Sequence, residues 1–222
     1  MTTQHILNVI QEWTTQDLLT LDELKVQLRI ATGDTSRDAE LILIINGVSA
    51  QIASMVNRVF GYEKVRETFY DVQGRKLLYF SRWPVLKSDI VSMTLDGVDI
   101  LTSTDWVLEE KTGTLYTPPS KGRVCWNGDL DIIYSGGYKI PEEAPDDLKK
   151  CCSVAAREDY YTYVRGTVLS GVRMISHKSA RVMYYPPGQV STTGGGGGAQ
   201  AQYGPTWQAI QNVLRKYFRH WV

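Results

Sequence analysis

Apolar and polar positions divide the chain into an opening stretch of helical spacing, a middle of alternating spacing, and a return to helical spacing near the end. Ile6, Val9, Ile10 and Trp13 recur at i, i+3, i+4 and i+7, which predicts a short amphipathic helix over 3–15. In TLDELKVQLRI, Thr20 and Glu23 stand in the Ser/Thr-x-x-Glu relation of a capping box. A helix over 21–30 is therefore expected to start just after Thr20, with Leu21, Leu24 and Leu28 inward. DAELILIINGVSAQIASMVNRVF predicts a long core helix over 37–60. Its broad apolar face carries Leu41, Ile44, Ile45, Val48, Ile52, Met55, Val56 and Val59, and Gly61 is expected as its C-cap.

From about residue 65 to 135 the period falls to 2. VRETFYDV and RKLLYF flank a Gln73-Gly74 turn, DIVSMTLDG and VDIL flank Asp96-Gly97, and DWVLEE and TLYT flank Gly113. DLDIIYS adds a strand before Gly136-Gly137. These short, turn-linked runs predict an antiparallel region rather than parallel βαβ units. DDLKKCCSVAAREDYYTYV then reads as a helix over 145–165, with acids in its first turn and Val154, Ala155, Tyr161 and Val164 as its buried face. RMISHKSARVMYY is expected to be extended or a strand pair, 186–204 a glycine-rich linker, and 205–222 an amphipathic helix opened by Pro205. The expected class is α+β: a helical bundle with an inserted antiparallel β region, forming a core over 1–185, and a C-terminal helix on a flexible tether.

The apolar share, 43% of 222 residues, is enough to fill a core. No apolar run approaches the roughly 20 residues of a membrane span, and the first residues lack the pattern of a secretory signal, so the mature protein is expected to begin near Met1. Cys125, Cys151 and Cys152 have no metal-like spacing, and the vicinal pair suits an ordinary disulfide poorly; reduced, half-buried thiols are expected. The net charge of zero conceals an asymmetry. Residues 1–159 hold 17 Lys/Arg against all 24 Asp/Glu, a balance of −7, whereas residues 160–222 hold seven basic residues and no acid. The last third is suited to meet something negative.

No coherent active site emerges. The five glycines at 194–198 lack the following Lys-Ser/Thr of a phosphate loop, and His5, His177 and His220 are too far apart to suggest a metal site. Ser135 precedes Gly136-Gly137 without the glycine spacing of a nucleophile elbow, so a strand-ending turn explains it. Glu142, Glu143, Asp146 and Asp147 fit a helix start. No catalytic residue, cofactor or metal ligand is assigned. What remains is aromatic residues among basic ones: Tyr160, Tyr161, Tyr163 and Arg165, then Trp207, Tyr217, Phe218 and Trp221 with Arg215, Lys216 and Arg219. The second group, on a tethered helix, is read foremost as a partner-docking surface. Packing on its own domain and stacking on nucleic acid are the other readings.

Together LTLDELKVQLRI, the long apolar helix, RWPVLKSDIVSMTLDGVDI, DWVLEEKTGTLYT and LDIIYSGGYKIPEEAPDDLKKCCSVAA resemble the head–tail connector, or adaptor, proteins of tailed bacteriophages, over Leu18 to Val164. The sharpest pieces are Arg82-Trp83-Pro84-Val85 and the Tyr134 to Pro141 ending of the last strand. The resemblance implies a non-enzymatic virion protein, made in the host cytoplasm, whose copies form a ring of about twelve at the head–tail interface. It further implies a portal protein above, a stopper or tail protein below, double-stranded DNA passing through the channel, and no membrane. The portal-docking assignment of Trp207, Leu214, Arg215, Tyr217, Phe218, Arg219 and Trp221 rests on position and composition. The residues before LLTLDEL, the pentaglycine and the long final helix depart from the family's usual pattern. The competing expectations are a nucleic-acid-binding protein acting through its basic last third and, against the absence of a base and orienter at recognisable spacing, an enzyme using Ser135 or a cysteine.

Overall fold

The computed structural model describes residues 5–102, 104–118, 126–169, 172–176, 181–184 and 205–218. The chain forms two compact units, one from Met1–Leu19 and Ser49–Pro145, the other from Thr20–Val48 and Asp146–Val222. Mixed helix and antiparallel sheet place it in the α+β class.

The first unit begins with strand β1, His5–Gln11. The helix expected over 3–15 is thus corrected to a strand. Ile6, Val9 and Ile10 satisfy helical spacing by number, but β-branched side chains suit an extended backbone that a neighbouring strand can pair. That neighbour is β2, Glu63–Phe69, antiparallel from His5↔Phe69 to Val9↔Val65, with a register shift before Gln11. The five-stranded sheet is completed by β4, Ile90–Leu95, β5, Val98–Asp99, and β8, Leu130–Gly136, in the order β1-β2-β8-β4-β5. A second sheet joins β3, Leu77–Tyr79, β6, Val107–Glu109, and β7, Thr114–Tyr116, in the order β3-β7-β6.

Two expected turns close hairpins. Asp96 and Gly97, at φ 48° and 79°, link β4 to β5, and Gly113, at φ 60°, precedes β7 opposite β6. The third does not. Gly74 turns at φ 72°, but β2 pairs with β1 and β8 while β3 pairs with β7. Between them the chain passes from one sheet to the other, held by buried Val72 and a bridge from Arg75 to Trp126. Both sheets feed one core that includes Val65, Phe69, Phe80, Met93, Leu115, Ile132 and Tyr134.

In the second unit, helix α1, Leu21–Leu28, starts at the expected capping box: Glu23 N donates to Thr20 Oγ1 at 3.2 Å, and Thr20 N to Glu23 Oε2 at 2.8 Å. Helix α2, Asp38–Val56, runs from this unit into the first. It ends at Asn57, φ 49°, rather than at Gly61, since Asn adopts the left-handed helix-ending conformation through its short polar side chain. By length and composition α2 is apolar enough to cross a membrane, contrary to the reading from apolar runs. Its stripe of Leu41, Ile45, Val48, Ile52 and Val56 is nevertheless buried by protein, while Ile42 and Leu43 are exposed.

Helix α3, Asp146–Leu169, packs against α1 and against α4, Pro205–Leu214, which continues as a 3-10 turn over Arg215–Tyr217. The buried face of α3 is carried by Leu148, Cys151, Cys152, Ala155, Ala156 and Tyr160. Of the expected face, Ala155 is buried, Val154 half-buried and Tyr161 exposed, while the side chain of Val164 lies outside the described residues. The strand pair appears as β9, Val172–Ser176, and β10, Arg181–Tyr184, antiparallel to each other. The linker expected over 186–204 lies outside the described residues.

Candidate assembly surfaces

The two motifs that carried the family resemblance meet in the first unit. Tyr134, near the end of β8, accepts a hydrogen bond from the Arg82 backbone N–H at 3.1 Å, and Gly137 N donates to Pro84 O at 2.9 Å. Gly136 and Gly137 are required by crowding: a Cβ on Gly136 would lie 2.7 Å from Arg82 O, and one on Gly137, at φ 113°, 2.2 Å from Gly61 O. Buried Arg58 lays its guanidinium 3.7 Å from the Trp83 ring centroid and 5.5 Å from that of Tyr138, and it donates to Trp83 O. The Trp83-Pro84 and Ile140-Pro141 peptide bonds are both cis, and Trp13 closes the far side with an indole N–H bond to Ile140 O at 2.6 Å. The residues of the two motifs thus build a backbone junction.

The sequence reading missed two carboxylates beneath this junction. Strand alternation turns Glu63 and Glu67 to the same inward face as Val65 and Phe69, and a buried carboxylate requires partners. Glu67, fully buried, has Tyr134 Oη and His5 Nε2 at 2.5 Å, Ser81 Oγ at 2.7 Å and Ser81 N at 3.1 Å. Burial first, then the adjacent Glu67 charge, pushes the Tyr134 hydroxyl well above the usual tyrosine range. Glu63 is held by Arg82 Nε at 2.7 Å. These donors occupy the carboxylates, so the cluster ties β1, β2, β8 and the Ser81-Arg82 segment together. The only signal for it in the sequence was acids at the inward beats of a period-2 run.

Of the predicted docking residues, Leu214 and Tyr217 are buried within the second unit, where α4 packs on α3. Tyr217 Oη donates to Asp147 Oδ1 at 2.7 Å, and Lys216 forms an ion pair with the same carboxylate. Burial alone would raise Asp147, but bonds from Lys216 and Tyr217 outweigh it and hold the carboxyl below its ordinary value. Asp147 is therefore more than a helix-start acid: it anchors the C-terminal segment. Arg215 and Phe218 are exposed, Phe218 by 40%. Trp207 stands in α4 with its side chain undescribed, and Arg219 and Trp221 lie outside the described residues. The structure thus splits the predicted set, turning part of it inward and leaving part on the surface.

Cys151 and Cys152 are buried, and burial, followed by the charge of Asp147, pushes the Cys151 thiol up. Cys125 lies outside the described residues. Ser135 sits within β8 opposite Lys64. Among the described residues no group of three or more His, Cys, Asp or Glu is placed to hold a metal ion. Among the described residues, exposed large apolar side chains include Leu43 of α2, 71% exposed, Val26 of α1, and Ile6, Val9 and Ile10 of β1.

No protein-family model and no curated protein matches the chain. Solved structures do. A chain in the neck of an empty gene transfer agent particle, computed with C6 symmetry, is 15% identical with a TM-score of 0.53, over 98% of this chain and 97% of that one. A chain in the virion of the native particle is 14% identical with a TM-score of 0.54 and the same coverage. A third, in the neck of the native particle computed with C12 symmetry, is 13% identical with a TM-score of 0.52, again over 98% and 97%. The connector resemblance read from the sequence has a structural counterpart over nearly the whole chain, which has the fold of chains found in gene transfer agent particles, two of them in the particle neck.

Proposed function

We propose that the protein is a non-enzymatic structural component of the neck of a phage-like particle. Its copies form a ring that joins the portal of the DNA-filled head to the tail and lets double-stranded DNA pass. The observation that carries this reading is end-to-end correspondence with chains in particle necks, one solved with C6 and one with C12 symmetry. A ring needs no active site; it acts through repeated head-to-tail interfaces and the shape they enclose. Repetition multiplies each channel-facing charge by the number of copies, which gives the acid-free last third a role beside DNA.

In this reading the helical elements form a bundle carrying the β region, the glycines of 194–198 give the tail slack, and the exposed side of the C-terminal segment meets the portal. Arg215 and Phe218 offer that side, with Trp207, Arg219 and Trp221 along the same stretch. Leu214 and Tyr217 hold the segment to α3 while it waits. The test is mass measurement of the purified protein with and without portal rings, beside a truncation after Thr193. Rings with the portal, lost or weakened at least tenfold in the truncation, are expected. A strict monomer that ignores portal rings overturns the neck reading, and a truncation that binds at wild-type affinity overturns the docking role of the tail.

A further inference from the structure

Strand β1 is one edge of the five-stranded sheet, and no strand among the described residues covers its outer side. Open edges invite pairing with another chain, and natural proteins blunt them with short strands, charges, prolines or bulges. The opposite edge obeys: β5 is two residues long and ends in Asp99. Over most of its length β1 does not. It has seven residues without Lys, Arg, Asp, Glu or Pro, and its register is regular from His5 to Val9 before the bulge. Ile6, Val9 and Ile10 stand 40%, 42% and 53% exposed. An edge of this kind is built to be covered.

The chain also holds a strand pair in need of a third strand. β9 and β10 form a sheet of two, with Val182 opposite Ile175 and Met183 opposite Met174, and an isolated two-stranded hairpin is marginal in water. Their five and four residues match the regular stretch of β1. Charge agrees. The hairpin lies in the acid-free last third, balance +7, and carries Arg173 and Arg181, while residues 1–159 carry −7. β1 itself presents no fixed cation to repel it. Pairing β1 with another β1 would be two-fold and stop at a dimer, whereas hairpin on β1 is head-to-tail and can propagate around a ring.

We propose that the β9–β10 hairpin of one copy adds to the β1 edge of the next, making an intersubunit sheet. The proposal rests on the ring reading above and specifies its contact. The test uses the full-length chain with Cys125→Ser. One version carries Asn8→Cys; a second, of different mass, carries Val182→Cys or Met183→Cys, used in turn to sample both faces of the strand. The two are mixed, with and without portal rings, and treated with a short thiol-reactive cross-linker. Covalent pairs of one copy of each version are expected. Adding Ile6→Lys to the first version, and repeating with Ile6→Lys/Asn8→Lys in assembly assays, is expected to cut cross-linking and ring yield at least tenfold. Thermal unfolding should stay unchanged, because both side chains are exposed. Rings without links between positions 8 and 182 or 183, or links joining position 8 to position 8, overturn the proposal and leave the ring reading standing. A monomer in every condition overturns both.

Discussion

Replacing Gly137 by Ala tests whether the Tyr134 to Pro141 motif exists to let three pieces of backbone touch. Gly137 follows β8 at φ 113°, and its N–H bonds to Pro84 O. A Cβ there would meet Gly61 O at 2.2 Å, Gly61 C at 2.7 Å and Phe60 O at 2.9 Å. These are backbone atoms, so no rotamer change relieves the clash. The next residue is fixed too, with Tyr138 N bonded to Phe60 O at 2.8 Å. Gly97 supplies the control, since at φ 79° an added Cβ meets nothing within 4 Å. Both substitutions incur the conformational cost of a side chain at positive φ, about 1–2 kcal/mol. Only Gly137→Ala adds the cost of overpacking, about 1–3 kcal/mol. The expected losses are about 2–5 kcal/mol for Gly137→Ala and about 1–2 kcal/mol for Gly97→Ala. In a chain of this size the first corresponds to melting lowered by roughly 6–15 °C and the second by roughly 3–6 °C. Urea titration and thermal unfolding followed by circular dichroism read both. Equal losses in the two variants would refute the close-approach reasoning.

Thr20→Ala removes the side-chain half of the α1 capping box and is expected to lower stability by about 1 kcal/mol, with Thr20→Ser restoring most of it; urea unfolding decides, and no loss would contradict the cap. Tyr134→Phe deprives buried Glu67 of one of its two O–H donors and the Arg82 N–H of its acceptor, for an expected loss of about 1–3 kcal/mol. A double-mutant cycle with Glu67→Gln should show coupling above about 0.5 kcal/mol; additive losses would dissolve the network. Asp147 has a lowered folded-state pKa, so its contribution is fully present above the unfolded value of 3.8 and fades as pH falls through the folded value. Protection of α4 amides, taken relative to their intrinsic exchange rate at each pH, should therefore fall below about pH 3.8. Asp147→Asn should exchange faster already at neutral pH and lose that acid dependence; identical profiles would rule Asp147 out as the anchor.

Local rules read well wherever one short-range device decided the outcome. The Thr20-Glu23 box started α1 where expected, Asp96-Gly97 and Gly113 turned their hairpins, and Pro205 opened α4. The fold-marking motifs were also legible as motifs, because the crowding at Gly136 and Gly137 permits no side chain and so leaves a mark in the residue order. Reading failed where two solutions shared one local pattern. HILNVIQ fits a helical stripe, but antiparallel pairing with β2 made it a strand. The turn at Gly74 is local, yet which sheet each flanking strand joins is not. Glu63 and Glu67 drew no reading from the sequence; alternation and the approach of Arg82, Ser81 and Tyr134 make them interior.

The residue order by itself determined the α+β class, the position of most elements, the absence of acids from the last third, and the resemblance to connector proteins. Each of these depends on neighbours within a turn or a strand, or on composition alone. Only the tertiary structure decided that the first apolar stretch is an edge strand, that Leu214 and Tyr217 face α3, and that Asp147 is their anchor. Those outcomes depend on groups dozens of residues apart competing for the same hydrogen bonds and the same buried space, and no local spacing records who wins.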